Sequence, residues 1–172
     1  KSIIELAQVA EDHGVSLVLE TFDTEWDKKL LFGKLPETAN FVRRLRKERG
    51  IRNLKILWDL SHAPLLGESP DILKEHADVL GHIHVGCTKE IIENGKKVLK
   101  DWHPTFHTPG ALNDEKDVAK LIKVLTEIKY SGPFSFEIKP EPQQTSLEVI
   151  NVAKGVLYTA YTIHLKEVLQ ST

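Results

Sequence analysis

Apolar positions along the chain alternate between a helical and a strand period. Ile3, Leu6, Ala7 and Ala10 recur at helical spacing, and Gly14 stands where a left-handed C-terminal cap is needed, so the pattern predicts a helix over about 2–13. Val15-Ser16-Leu17-Val18-Leu19 is a short apolar run of the kind a strand buried on both faces carries, and it ends at Glu20. The same sequence of signals then recurs. Pro36 can open a helix at its first position and Gly50 can close it, after which Leu54-Lys55-Ile56-Leu57-Trp58 reads as a strand ending at Asp59. Pro70-Asp71 begins a short helix, and Val79 to Val85 reads as a third strand whose two-residue period puts His82 and His84 on one face. Asp114 is placed to cap a helix with Val118, Leu121, Ile122, Leu125 and Ile128 on its apolar stripe. A Gly132-Pro133 turn leads to the strand Phe134-Ser135-Phe136-Glu137-Ile138. Thr145 and Glu148 have capping-box spacing and start a long final helix through Ile150, Ala153, Leu157, Ala160 and Ile163.

Strands and helices alternating this regularly predict an α/β fold with a parallel sheet and helical crossovers, either an open doubly wound sheet or a closed barrel. Periodicity does not separate the two. A closed eight-fold barrel takes about 250 residues, and only four strand-helix units are legible in 172. The other strands of a barrel are expected from a preceding segment or another chain. The absence of methionine, and a start at Lys1 inside a helical pattern, agree with a fragment. No low-complexity stretch, linker or short repeat marks a boundary, so residues 1–172 read as one domain or part of one.

Composition narrows the class. With 41% hydrophobic and 28% charged residues the chain falls among globular proteins rather than disordered or fibrous ones. No apolar stretch approaches the roughly 20 residues of a bilayer span, and the start lacks a signal-peptide pattern, so no membrane partner and a cytoplasmic location are expected. The single cysteine, Cys87, excludes an internal disulfide. A net charge of −2 gives no general attraction for a phosphate backbone, which argues against nucleic acid as partner. The basic run Arg43, Arg44, Arg46, Lys47 and Arg49 shares its helix with Phe41, Val42 and Leu45 and reads as a solvated face.

The chemistry lies at the strand ends. Glu20, Asp59, His84 and Glu137 fall at or near the C-terminal ends of four successive predicted parallel strands, the rim where both parallel architectures bind ligands. Three carboxylates brought together there must protonate or find a cation, and a divalent ion held by Glu20, Asp59, His84 and Glu137 resolves the conflict. Oxygen-rich ligation with one imidazole suits Mn²⁺, Mg²⁺, Co²⁺ or Zn²⁺. A single acidic residue after a strand is often no more than a helix cap, so it is four in phase that point to a metal. His82 fits a satisfied core position better than a ligand, and Trp58 and Trp26 read as core aromatics before stacking platforms. Asp59-x-x-His62 lets His62 reach what Asp59 helps bind, and Asp101-Trp102-His103-Pro104 with His107 and Gly110 lies in a long loop on the same rim, His107 either joining the site or being simply exposed.

Leu17-Val18-Leu19-Glu20, Asp59-Leu60-Ser61-His62, His82-Ile83-His84-Val85, Asp101-Trp102-His103-Pro104 and Phe136-Glu137-Ile138-Lys139-Pro140, in that order, resemble the xylose isomerase-like TIM-barrel superfamily of sugar phosphate isomerases and epimerases over nearly the whole chain. The resemblance implies a (β/α) barrel of which this chain supplies about the C-terminal half, strands 5–8. It implies one divalent ion, Mn²⁺ first, on Glu20, Asp59, His84 and Glu137, with Glu20 and Glu137 also acting as the acid/base pair in proton transfer through an enediolate. It also places His62 against substrate oxygens, with His103, His107 and Lys139 as further candidates for substrate contact. A small sugar is the implied substrate and a homo-oligomer the expected assembly. Two features depart from the pattern: Glu90 stands where several epimerases carry an arginine six residues after the metal histidine, and the insert before Asp101 is long. No glycine-rich phosphate cradle is present. The same residues with His62, Asp101 and His103 resemble a zinc-dependent endonuclease IV type of enzyme. The pattern is also compatible with an inosose-type dehydratase or a non-catalytic barrel fragment.

Overall fold

A computed structural model describes residues 2–170. Four strands, β1 (Leu17–Glu20), β2 (Leu54–Asp59), β3 (Leu80–Val85) and β6 (Phe134–Phe136), form one parallel sheet in the order β1-β2-β3-β6. The crossovers between them carry helices: α1 (Ser2–Asp12) precedes β1, α2 (Leu35–Arg49) joins β1 to β2, α4 (Glu115–Glu127) precedes β6, and α5 (Ser146–Gln170) follows it. Between β2 and β3 the chain makes only α3 (Ala63–Leu66) and three short 3₁₀ turns. Chain order equals spatial order among the four, the arrangement of one half of a parallel (β/α) barrel.

The local signals act as predicted. Gly50 closes α2 at φ 70°, its N–H bonded to the Arg46 carbonyl. Asp114 and Asp117 form a reciprocal capping box at the start of α4. Thr145 and Glu148 do the same for α5, the Thr145 N–H donating to Glu148 Oε2 at 2.6 Å. The apolar stripes of α2 and α4 meet the sheet through Ala39, Val42, Val118, Leu121 and Ile122, which pack with Ile56, Trp58 and Ile83 in one core. Trp58 is fully buried, as expected of a core aromatic, and its indole N–H donates to Glu68 Oε2 at 2.9 Å. Trp26 is instead 42% exposed, in the loop after β1.

Several boundaries shift by a residue or two from the reading of the sequence, β3 starting at Leu80 rather than Val79 and α2 at Leu35 rather than Pro36, and two of the shifts have a clear backbone cause. The first strand begins at Leu17 rather than Val15, because the Val15 N–H bonds back to the Ala10 carbonyl and completes the wrapped end of α1, with Gly14 at φ 67°. The last strand stops at Phe136: the Glu137 N–H still donates to the Val85 carbonyl, but the Lys139 N–H turns to the His103 carbonyl instead. The long loop before Asp101 contains a hairpin not predicted from the pattern, β4 (Lys89–Glu93) and β5 (Lys96–Lys100), closed by Asn94 and Gly95, both at positive φ. Asn-Gly between two strands is the strongest short-range hairpin signal, since both turn residues must adopt left-handed backbone.

Candidate metal centre

Parallel pairing sets the site. Asp59 and His84 are register partners at the ends of β2 and β3, Glu20 ends β1 on one side, and Glu137 follows β6 on the other. One ligand atom from each of Glu20, Asp59, His84 and Glu137 lies within 4.8 Å of the other three. His84 Nδ1 is 2.6 Å from Glu137 Oε2 and 3.9 Å from Asp59 Oδ2. Asp59 is fully buried. Its Oδ1 accepts from the Ser61 N–H at 2.7 Å, while its Oδ2 has no hydrogen-bond partner among the described residues. A buried carboxylate oxygen left without a donor is costly, and this one lies 3.9 Å from His84 Nδ1 and 3.8 Å from His103 Nδ1. Burial pushes the Glu20 carboxyl up to about 7, with Asp59 and Glu137 adding to the rise and His62 and His84 opposing it. The donor set therefore fits a hard or borderline divalent cation, whose charge would stabilise all three carboxylates at once.

A second group adjoins the first through Asp59. His62 and His103 each offer a ring nitrogen within 4.8 Å of an Asp59 oxygen and of each other. Asp101 sits between the two rings, its Oδ1 2.7 Å from His103 Nε2 and 3.1 Å from His62 Nε2. Burial raises the Asp101 carboxyl, but the bonds from His103 and His62 outweigh it and hold it well below the usual range. Burial likewise disfavours the charged His62 ring, yet Asp101, Asp59 and Glu20 carry it to about 9. Its Nδ1 donates to the Thr21 carbonyl at 2.7 Å, so both ring nitrogens of this fully buried side chain face oxygen acceptors. Contact with a substrate oxygen would require His62 to give up one of those bonds.

The other candidates separate. His107 lies outside both groups: its side chain is 57% exposed, 3.3 Å from Glu115 at the start of α4. His82 hydrogen-bonds Ser135 Oγ at 2.6 Å beneath His84, as a satisfied neighbour would. Lys139 is exposed two residues beyond Glu137. Glu90 is on the hairpin, paired with Lys97 at 3.0 Å. One feature was missed in the sequence. Asp23, fully buried, accepts backbone N–H bonds from Glu25, Trp26, Asp27 and Lys28, and so folds the loop after β1 into a compact turn. Asp27 then accepts from the Asp101 N–H at 3.2 Å, docking that loop on the segment that carries Asp101 and His103. Asp-x-x-x-Asp is too common a spacing to have marked it.

A half barrel of parallel strands with acidic and imidazole side chains at its C-terminal rim defines a class, and sequence comparison places the chain within it. Residues 1–153 match the xylose isomerase-like TIM barrel family, and the chain belongs to that family. No curated protein matches it. Among solved structures, a D-tagatose 3-epimerase-like protein is similar at 23% identity over 96% of this chain and 54% of its own, with a TM-score of 0.61. D-psicose 3-epimerase from Clostridium cellulolyticum H10 is similar at 17% identity over 95% and 54%, TM-score 0.62. 3-Keto-D-glucoside 4-epimerase from E. coli is similar at 18% identity over 90% and 50%, TM-score 0.59. These likenesses establish the fold, and this chain spans about half the length of each of those proteins.

Proposed function

We propose that this chain is the metal-binding half of a divalent-cation-dependent sugar epimerase or isomerase. The observation that carries the reading is the convergence of Glu20 and Glu137, from the two outermost strands of the sheet, on the Asp59–His84 pair. Sugar epimerases among the structures of similar fold support the substrate class. Glu20, Asp59, His84 and Glu137 would hold the ion, Mn²⁺ first among Mg²⁺, Co²⁺ and Zn²⁺. When bound, such an ion supplies polarisation of a carbonyl and its neighbouring hydroxyl.

The residues divide the remaining work. Glu20 and Glu137 reach the cluster from opposite sides, as removal of a proton from one face of a carbon and return from the other requires. Abstraction next to a carbonyl leaves an enediolate, and protonation from the other side inverts the centre. Asp101, held charged by His62 and His103, fixes those rings beside the acid/base pair. His103 and Lys139 are the residues best placed to meet substrate hydroxyls at the rim.

The test is solvent exchange. With the Mn²⁺-loaded protein and a ketohexose in deuterated water, NMR is expected to show deuterium entering the carbon next to the carbonyl, and Glu137→Gln is expected to abolish it. Exchange retained in that variant removes Glu137 from the acid/base role. The group formed by Asp59, His62 and His103 favours a second reading, a multi-zinc hydrolase of the endonuclease IV type. Metal analysis separates them: one ion per chain fits the epimerase, and three fit the nuclease.

A further inference from the structure

Beside the metal-binding rim, on the side of β6, a cavity of about 370 Å³ is lined by Lys89, Trp102, Pro104, Lys139, Pro140, Glu141 and Pro142. That volume is at the lower end of small-ligand pockets, about 300–1,000 Å³. Its near wall is continuous with the candidate chemistry, because Trp102 precedes His103, Lys139 follows Glu137 by two residues, and the Lys139 N–H donates to the His103 carbonyl at 2.8 Å. The far wall is tied in place. Lys89 Nζ lies 3.3 Å from Glu141 Oε1, and Gln144 Oε1 accepts from both Thr105 Oγ1 at 2.6 Å and the Glu141 N–H at 3.0 Å, fastening the segment after β6 to the segment after Trp102.

The lining chemistry selects a class of occupant. Trp102 is 48% exposed, leaving a large part of the indole free to stack on a flat apolar surface. Prolines 104, 140 and 142 extend that surface and supply no N–H donors. Lys89 is offset by Glu141, which leaves Lys139 as the one lining cation without an ion-pair partner among the described residues. A phosphate dianion needs converging donors such as a helix N-terminus or a glycine-rich loop, whereas an aromatic plate edged by an amine and a carboxylate matches the C–H face and peripheral hydroxyls of a sugar ring.

Resting on the sugar-epimerase reading, we infer that the cavity under Trp102 is a subsite for a second sugar ring, so that the substrate is a glycosylated sugar whose reacting unit occupies the metal rim. Trp102 stacks on the remote ring, Lys139 and Glu141 take its hydroxyls, and the hairpin base at Lys89 closes the outer wall.

The experiment compares D-fructose, D-fructose 6-phosphate and isomaltulose, a fructose carrying glucose on its far end, in the solvent-exchange assay with the Mn²⁺-loaded protein. Isomaltulose is expected to exceed fructose in kcat/KM by about tenfold or more, the equivalent of about 1.4 kcal/mol, and Trp102→Ala is expected to bring that ratio down to within about twofold of one. The same preference should appear in tryptophan-fluorescence titrations with isomaltulose, and the quenching should be lost in Trp102→Phe and Trp102→Ala if Trp102 reports it directly, or in Trp102→Ala alone if another indole does. Exchange with fructose but no preference for isomaltulose overturns the subsite and leaves the epimerase reading standing. A preference for fructose 6-phosphate that Lys139→Ala removes overturns it in favour of an anion site. No exchange with any of the three, together with no saturable quenching, overturns both.

Discussion

Asp59 and His84 stand at the same register position on adjacent parallel strands, with Asp59 Oδ2 3.9 Å from His84 Nδ1 and without any hydrogen-bond donor among the described residues. A buried carboxylate oxygen in that state is costly, and a divalent cation held with Glu20, His84 and Glu137 would stabilise it. Asp59→Asn is therefore expected to weaken Mn²⁺ binding by at least the about 10–100-fold that loss of a mere outer-shell partner costs. Isothermal titration calorimetry reads the loss, and an unchanged far-UV circular dichroism spectrum shows that the fold survives. Wild-type affinity in the variant would remove Asp59 from the ligand set.

Asp23 organises the loop after β1, and its charge is part of the structure. Burial raises its carboxyl, but N–H donors from Trp26, Asp27, Glu25 and Lys28 outweigh that effect and leave it below the usual value. A folded value below the unfolded one means that Asp23 adds stability above about pH 4, and that this stability is lost as pH falls through the lowered folded value. Asp23→Asn is expected to lower stability by about 1–3 kcal/mol at pH 7 and by progressively less in acid. Urea unfolding at pH 7 and pH 3 measures both, and an equal cost at the two pH values would contradict this role for the charge.

Glu68 joins two elements through one carboxyl group: Oε1 accepts from the Leu35 N–H at the start of α2 at 2.7 Å, and Oε2 from the Trp58 indole at 2.9 Å. Glu68→Ala leaves a buried indole N–H without a partner. A loss of about 1–3 kcal/mol is expected from chemical denaturation, with a change in Trp58 fluorescence. A neutral substitution would mean that water replaces both bonds.

Cys87 is fully buried, and burial pushes its thiol up to about 12. Since the thiolate is the reactive form, iodoacetamide is expected to leave the native chain unlabelled at pH 8 and to label it fully in denaturant. Rapid native labelling would show that the core opens around β3.

Apolar side chains remain exposed on several helices, among them Leu6 and Val9 on α1 and Tyr158, Leu165 and Leu169 on α5, and Val18 is 42% exposed on β1 at the edge of the sheet. Open strand edges and apolar faces seek partners. Residues 1–172 alone are expected to self-associate in light scattering at micromolar concentration, and a stable monomer would contradict the expected oligomer.

The candidate site was legible to different depths at different residues. Glu20 and Asp59 were readable because each ends a short, largely apolar run that follows a helix-closing glycine and reads as a strand, and the C-terminal end of a parallel strand is where ligands gather. His107 looked equivalent to His103 along the chain, and both have left-handed backbone, yet His107 pairs with Glu115 and its side chain stays 57% exposed, outside the cluster. The hairpin was within reach of the sequence through Asn94-Gly95. The role of Asp23 was not, because five successive N–H groups converge on its carboxylate only once the loop has curled around it.

Periodicity and its consequences were written into the chain from the start: the helix-strand alternation, the caps at Gly50, Asp114 and Thr145, the parallel class, and the four residues in phase at the strand ends. These are local, held in spacing and in the conformational limits of single residues. Which side chains share a volume was settled by folding alone. Strand register set Asp59 opposite His84, the turn after Phe136 carried Lys139 to His103, and the loop from Asp23 to Asp27 reached Asp101 across 74 positions of sequence. Contacts at that separation depend on where a chain folds back rather than on what it is made of, and no local preference encodes them.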